Sequence, residues 1–248
     1  MRYLLTSFCL ILGIFLSCQV QPQSADIPEQ DSLLGPLIAE RSSPDSAIWD
    51  SLLQQAAQKH GIDWMLAKAV MIKESHFVER HVSYAGAVGL MQLMPREGSY
   101  VSPAYRAYQQ ARKASGRVYK GKSQEAWGKA YQAQLLAIAA LSSVDSIYQQ
   151  DKRFDPAYNI DEGTRQLASD FHFFRSRAHG PYTSQILAIA AYNAGRYAVM
   201  TDRNHANRDH IPINRQTELY VAGVQKIYLA LQSGDGQLLE NDLYLLKL

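Results

Sequence analysis

Apolar residues recur along most of this chain at steps of three and four, the spacing of helices that bury one face. Ser43-Pro44 reads as an N-cap followed by a first-turn proline. It opens a helix carrying Ile48, Trp49, Leu52 and Leu53, which stops near Gly61. Asp63 caps a second helix, Trp64 to Glu74, in which Leu66, Val70 and Glu74 share one stripe at steps of four. A glycine-rich turn follows (Gly86, Gly89), then Leu90 to Met94 with Gln92 at its centre, ended by Pro95. Ser102-Pro103 opens a further helix that ends near Gly116. A longer pattern runs from Ser123 to about Gln149, with Trp127, Ala130, Tyr131, Leu135, Ile138 and Leu141 in helical register. Another helix, Asn159 to about Phe174, turns Ile160, Thr164, Leu167 and Phe171 inward, and Gly180-Pro181 breaks it. Ser184 to Asn193 forms the next, with Gly195 as its left-handed stop. No strand run and no internal repeat stands out, so the pattern predicts a mostly α fold.

The first 43 residues do not belong to this pattern. Arg2 followed by the apolar run Tyr3 to Leu16 reads as a signal peptide over residues 1–17, too short to favour a transmembrane span. It ends Phe15-Leu16-Ser17-Cys18, which resembles a lipobox with Phe15 at the position more often held by Leu. Cys18 is then the lipidated first residue, where two acyl chains give stable anchoring and one is marginal. The other reading is ordinary cleavage near Ser17. Residues 18–43 are polar and carry Pro22, Pro28 and Pro36, the composition of a tether. The domain spans residues 44–232, and a leucine-rich tail, residues 233–248, closes the chain.

Composition narrows the function classes. The chain has 248 residues, 47% hydrophobic and 19% charged, which is globular rather than disordered. A net charge of +2 is too mild to argue for nucleic acid. Its two cysteines, Cys9 and Cys18, both precede the domain, so the domain holds no disulfide and no thiol nucleophile. No CxxC, HExxH or P-loop pattern occurs, so no metal or cofactor is expected.

One acid is oddly placed. Glu74 lies on the apolar stripe of its helix, where desolvation disfavours the ionised form and raises the pKa, as suits a general acid near neutral pH. A buried structural Glu paired with a cation fits the same pattern. The residues around it decide between the two. Glu74-Ser75-His76-Phe77, followed by V-S-Y-A-G-A-V-G-L-M-Q-L-M-P from Val82 to Pro95, resembles the catalytic region of the soluble lytic transglycosylases. That domain is related in fold to goose-type lysozyme. L-A-I-A-A-Y-N-A-G, Leu187 to Gly195, resembles the second signature of the family. Q-T-E-L-Y-V, Gln216 to Val221, resembles its closing helix, with Gln216 where a Glu is often found.

The resemblance covers about residues 47–95 and 154–231, and it implies a lysozyme-like helical domain with a helical insertion at about 96–153. It implies a peptidoglycan lytic transglycosylase that cleaves the MurNAc–GlcNAc β-1,4 bond and forms 1,6-anhydro-MurNAc. Glu74 is then the general acid and base, and Ser83, Gln92, Met94, Tyr192, Asn193 and Tyr220 line the substrate cleft. It further implies that the partner is the glycan strand of peptidoglycan. The envelope location is then the periplasmic face of the outer membrane, through the lipid on Cys18, and Gln19 is compatible with that sorting. Two rivals remain at this point. A lysozyme-like muramidase on the same fold calls for a second carboxylate, and Glu79, Glu97, Glu162 and Glu218 are the acids near matched motifs. A non-catalytic peptidoglycan-binding lipoprotein has no need of a desolvated acid.

The insertion carries eight Lys or Arg against two Glu over residues 96–130, a net +6, with Tyr100, Tyr105, Tyr108, Tyr119 and Trp127 interleaved. Such a segment either walls the cleft against glycan or packs its aromatics on the domain and leaves its charges in water.

Overall fold

A computed structural model describes residues 48–97, 100–114, 122–201, 209–212 and 214–234. The signal peptide, Cys18, the tether and the tail from residue 235 onward lie outside the described residues.

The fold is mostly α. Helix α1 (Asp50–His60) ends at Gly61 in the left-handed conformation, φ 72°, and α2 (Trp64–Ser75) starts at Asp63, whose carboxylate accepts from the Met65 amide at 2.9 Å. A two-residue hairpin pairs β1 (Arg96–Glu97) with β2 (Tyr100–Val101). Then come α3 (Pro103–Ala114), α4 (Lys122–Ala139), α5 (Val144–Gln150) and a 3₁₀ turn over Lys152–Phe154. Helices α6 (Pro156–Ser176), α7 (Pro181–Ala194), α8 (Arg196–Met200) and α9 (Arg215–Ser233) complete the described chain.

Several boundaries differ from the sequence pattern. The single helix expected over 123–149 is two, because Ser143 leaves the helical conformation and its hydroxyl caps α5, accepting from the Ser146 amide at 3.4 Å. Leu141, expected in register with the buried row, falls in this break and is exposed. Helix α6 starts three residues early, since Asp155 accepts from the Ala157 amide and Pro156 fits the first helical position. Helix α7 starts at Pro181 for the same proline reason. Ser233 is the last residue of α9 rather than part of a tail, and Gly234 stops that helix at φ 69°.

Two hydrophobic clusters organise the packing. The main core joins α1, α2, α6, α7 and α9 through fully buried residues such as Leu53, Val70, Leu167, Ile189 and Val224. Helix α2 is its centre: Lys68, Ala69, Met71 and Ile72 are buried along with the expected Leu66 and Val70, so the helix is enclosed on nearly every side. Lys68 is tolerated there because Asp50 accepts from its ammonium at 2.6 Å.

The second cluster belongs to the segment read as an insertion. Ala104, Tyr131, Leu135, Ile138, Ile147 and Phe154 bury one another, with Tyr105 and Tyr108 packed against Tyr131 at ring-centroid distances of 5.9 and 5.6 Å. These tyrosines serve packing. Arg112, Lys113, Lys120, Lys122 and Trp127 have side chains outside the described residues, as does Tyr119. The glycine-rich loop after α2 lies between the clusters: Val88 is buried in the second, whereas Leu90 and Met91 are buried in the first.

Candidate active site

Helix α2 delivers Glu74 at its last turn, where the enclosing core gives way and the residue becomes half-buried. His76 and Phe77 then adopt left-handed φ values of 51° and 64° in succession, turning the chain sharply away. Non-glycine residues pay of order 1–3 kcal/mol for such conformations, and they persist only where surroundings enforce them. The Tyr220 hydroxyl, on α9 and buried, donates to Glu74 Oε1 at 2.5 Å.

Burial pushes the Glu74 carboxyl up to about 7, against the opposing pull of the Tyr220 hydrogen bond and the neighbouring Lys73 charge. Tyr220 itself is held well above its ordinary value, by burial first and then by the adjacent carboxylate. The phenol therefore stays protonated and donates, while the carboxyl can give up and take back a proton near neutral pH. Lys73 packs its aliphatic stem over Gly223 of α9 and is itself pushed down by burial.

The glycine-rich loop is a small hydrogen-bonded frame. Val88 and Leu93 exchange backbone hydrogen bonds at 3.1 and 3.0 Å, and the Gly89 amide donates to the His81 carbonyl. Ser83 and Gln92 are largely occupied in holding this frame. The Ser83 hydroxyl accepts from the Ala87 amide at 2.9 Å. Gln92 sits at φ 48°, and its amide nitrogen donates to the carbonyls of Gly89 and His81 at 2.8 and 3.2 Å. Met94, by contrast, is 46% exposed. Gly89, at φ 85°, is required both by that angle and by space, since a Cβ there would meet Asn159 Nδ2 at 2.2 Å.

Tyr192, near the end of α7, donates to the Met91 carbonyl at 2.7 Å, and its electrostatic influence reaches Tyr220. Gly163 of α6 lets Met91 and Tyr192 approach, because a Cβ there would lie 2.7 Å from Met91 Sδ and 3.0 Å from the Tyr192 hydroxyl. Asn193 accepts from the Thr217 hydroxyl at 3.0 Å, tying α7 to the first turn of α9. The seven residues singled out from the sequence thus divide. Glu74 and Tyr220 are in direct contact, Tyr192 and Asn193 brace the neighbouring elements, Ser83 and Gln92 shape the loop, and Met94 faces outward.

Other acids stand apart from this arrangement. Glu162 is paired with Arg165 at 2.7 Å, Glu79 accepts from Tyr148 at 3.4 Å, and Glu218 is exposed. The Glu97 side chain lies outside the described residues. Among the described residues, no group of three or more His, Cys, Asp or Glu side chains could hold a metal ion.

Three residues that sequence reasoning missed build the loop from outside. Asn159 accepts from the Met91 amide at 2.7 Å and donates to the carbonyls of Val88 and Arg153. Arg153 and Asp151 are both 0% exposed and paired at 2.8 Å. Arg153 also donates to the carbonyls of Gly86 and Leu93, each at 2.9 Å, and to the Tyr131 hydroxyl at 3.3 Å. Asp151 accepts in addition from the Ser102 hydroxyl at 2.7 Å. In sequence, D-K-R-F offers no hint that its first and third residues are buried and its second exposed.

Residues 51–115 and 133–213, more than half of the chain, match the Transglycosylase SLT domain family. The chain belongs to that family. The match is interrupted at residues 116–132, inside the segment read as an insertion. Relatives named membrane-bound lytic murein transglycosylase C include one from Histophilus somni, 26% identical over 81% of this chain and 45% of its own length. One from Haemophilus influenzae is 28% identical over 77% of this chain and 43% of its own. The chain spans less than half the length of these relatives. Among solved structures, an inactive mutant of the lytic transglycosylase Slt from Pseudomonas aeruginosa is similar at 21% identity and a TM-score of 0.42, over 76% of this chain and 24% of that one. Among the described residues, no helix is long and apolar enough to cross a membrane.

Proposed function

We propose that this SLT-domain chain is a peptidoglycan lytic transglycosylase that cleaves the MurNAc–GlcNAc β-1,4 bond with Glu74 as acid and then base. The observation that carries the reading is a half-buried carboxyl lifted to about 7 with a protonated phenol donating to it. At neutral pH a substantial share of Glu74 is protonated. It gives that proton to the glycosidic oxygen as the C1–O bond breaks, and GlcNAc leaves with a free 4-hydroxyl. The acetamido oxygen of the same MurNAc shields the cation that develops at C1. Glu74, now a carboxylate hydrogen-bonded by Tyr220 and favoured by the neighbouring Lys73 charge, takes the proton from the MurNAc C6 hydroxyl as O6 bonds to C1. The ring closes, Glu74 is protonated again, and no water is added.

The intramolecular closure supplies what a second carboxylate would otherwise do. A well-oriented internal nucleophile reaches effective concentrations up to ~10⁵–10⁸ M. Arg165 holds Glu162, and Lys73 rather than an acid is the charge that bears on Glu74, which supports this route over one with a carboxylate nucleophile. On this reading Met94 offers an adaptable apolar surface to the glycan, and Ser83 and Gln92 contribute mainly by shaping the loop beneath it. We also infer export and anchoring through a lipid on Cys18, which suits a substrate in the cell envelope and the names of the relatives.

The test is the product. Digested sacculi analysed by mass spectrometry are expected to yield 1,6-anhydro-MurNAc ends. Reducing MurNAc ends as the main product would make the enzyme a hydrolase and overturn the proposal.

A further inference from the structure

The glycine-rich loop is gripped at both ends by one side chain that the loop does not contain. Arg153 donates through the same nitrogen, Nη1, to the carbonyls of Gly86 and Leu93, which bracket the loop. Its other nitrogens are spent on Asp151 and Tyr131. Asp151 in turn holds Ser102, at the foot of α3. The guanidinium therefore joins the loop to α3, α4 and the 3₁₀ turn at a single point. Close packing reinforces it, since a Cβ on Gly86 would lie 2.3 Å from the Tyr131 ring.

Stability alone does not call for this arrangement. Burying a guanidinium and a carboxylate carries a large desolvation cost, and well-packed apolar residues of similar volume often serve the fold equally well. What an apolar side chain lacks is direction. A planar fork with several donors fixes two carbonyls at set positions relative to each other. The Leu93 carbonyl is the peptide from which the next residue, Met94, projects into solvent.

We infer that Arg153 is a positioning residue for glycan binding. It sets the width of the Gly86–Leu93 loop and the direction of Met94, and it makes the segment from Ser102 to Phe154 part of the working site. The inference rests on the glycan-cleaving role proposed above. It differs from the cleft-wall reading of this segment, because the contribution comes through buried contacts beneath the loop.

The experiment compares wild type with Arg153→Lys and with the double variant Arg153→Met/Asp151→Leu, which leaves no buried charge unpaired. Thermal unfolding establishes that each is folded. Steady-state cleavage of soluble glycan strands is expected to show KM raised by about 10- to 100-fold in the double variant, the scale of a small misplacement. The pH midpoint of kcat is expected to stay at the wild-type value, since Arg153 does not touch Glu74 or Tyr220. Arg153→Lys keeps a charge but cannot serve two carbonyls, Asp151 and Tyr131 together, so it is expected to recover only part of the loss. Hydrogen exchange at the Val88 and Leu93 amides is expected to speed up in both variants, whether or not glycan is the substrate. A folded double variant with wild-type KM overturns the inference, and wild-type exchange at these amides overturns the positioning of the loop on which it rests. If the double variant does not fold, Arg153→Lys decides the matter through the same two measurements. Absence of turnover by the wild-type protein overturns the proposed function instead, and the exchange measurement still decides the positioning of the loop.

Discussion

Two withdrawn carboxyls in this molecule meet opposite fates. Glu74, at the end of α2, has a phenol for a hydrogen-bond partner and is pushed up to about 7. Asp151, beside the second hydrophobic cluster, is more thoroughly buried yet is held below its ordinary value by Arg153 and Ser102, which outweigh the same desolvation. Burial raises both. The partners decide the outcome: a neutral donor leaves the acid able to exchange its proton, whereas a guanidinium locks the other as a permanent anion. One region is arranged for chemistry and the other for geometry, and a single loop is built against both.

Removing the exchangeable proton tests the contrast most severely. Glu74→Gln is nearly isosteric and is expected to lower turnover of sacculi by ~10²–10⁴-fold or more, the usual range for acid–base assistance, with the fold retained. Wild-type turnover by the folded variant would remove Glu74 from the reaction.

Asp151→Asn leaves the Arg153 charge buried without its counterion and is expected to destabilise the fold by about 3–5 kcal/mol, read from denaturant midpoints. The sign with pH follows from the depressed pKa. Asp151 contributes stability above its unfolded value, and that contribution is lost as pH falls through the lower folded value. An asparagine variant of unchanged stability would mean that the pair contributes nothing to the fold.

The same measurement on Glu74→Gln should give the opposite sign. The folded state of the wild type binds a proton more tightly than the unfolded state, so its stability falls as pH rises from about 4.5 to about 7. The glutamine variant lacks that slope and is expected to be more stable at pH 8 by on the order of 1–3 kcal/mol, with the two converging below pH 4.5. Parallel curves would place Glu74 in an ordinary solvated setting.

Tyr220→Phe isolates the partner. Loss of a hydrogen bond to a charged group is worth about 1.5–3 kcal/mol. The Glu74 midpoint is therefore expected to move upward by about one to two pH units in the rate profile, since each unit is about 1.4 kcal/mol. An unmoved midpoint would show that the phenol has no part in setting the acidity.

Much of the first region can be read from the sequence. Gly61 and Asp63 mark helix ends through conformations and caps that act over a few residues, and the structure places them there. The step-of-four stripe brings Glu74 to the apolar side of α2, although it misses that Lys68, Ala69 and Met71 are enclosed as well. The second region is far less legible. Arg153 and Asp151 look like surface charges, because their burial depends on Tyr131, Ser102 and two loop carbonyls from distant parts of the chain. Gln92 looks like a ligand-facing amide because local pattern cannot show that its nitrogen is taken by Gly89 and His81. The break at Ser143 is missed for a different reason: its cap competes with a helical register that continues on both sides.

The bond from Tyr220 to Glu74 closes 146 residues of chain. Glu74 emerges from the ribosome early, but the helix that walls it off from water is the last one described. Until α9 docks, the carboxyl is an ordinary solvated acid, fully ionised at neutral pH and without a proton to give. A chain still being made therefore carries its acid in an unarmed form. The acidity of Glu74 is a late product of folding, present only once the domain is complete.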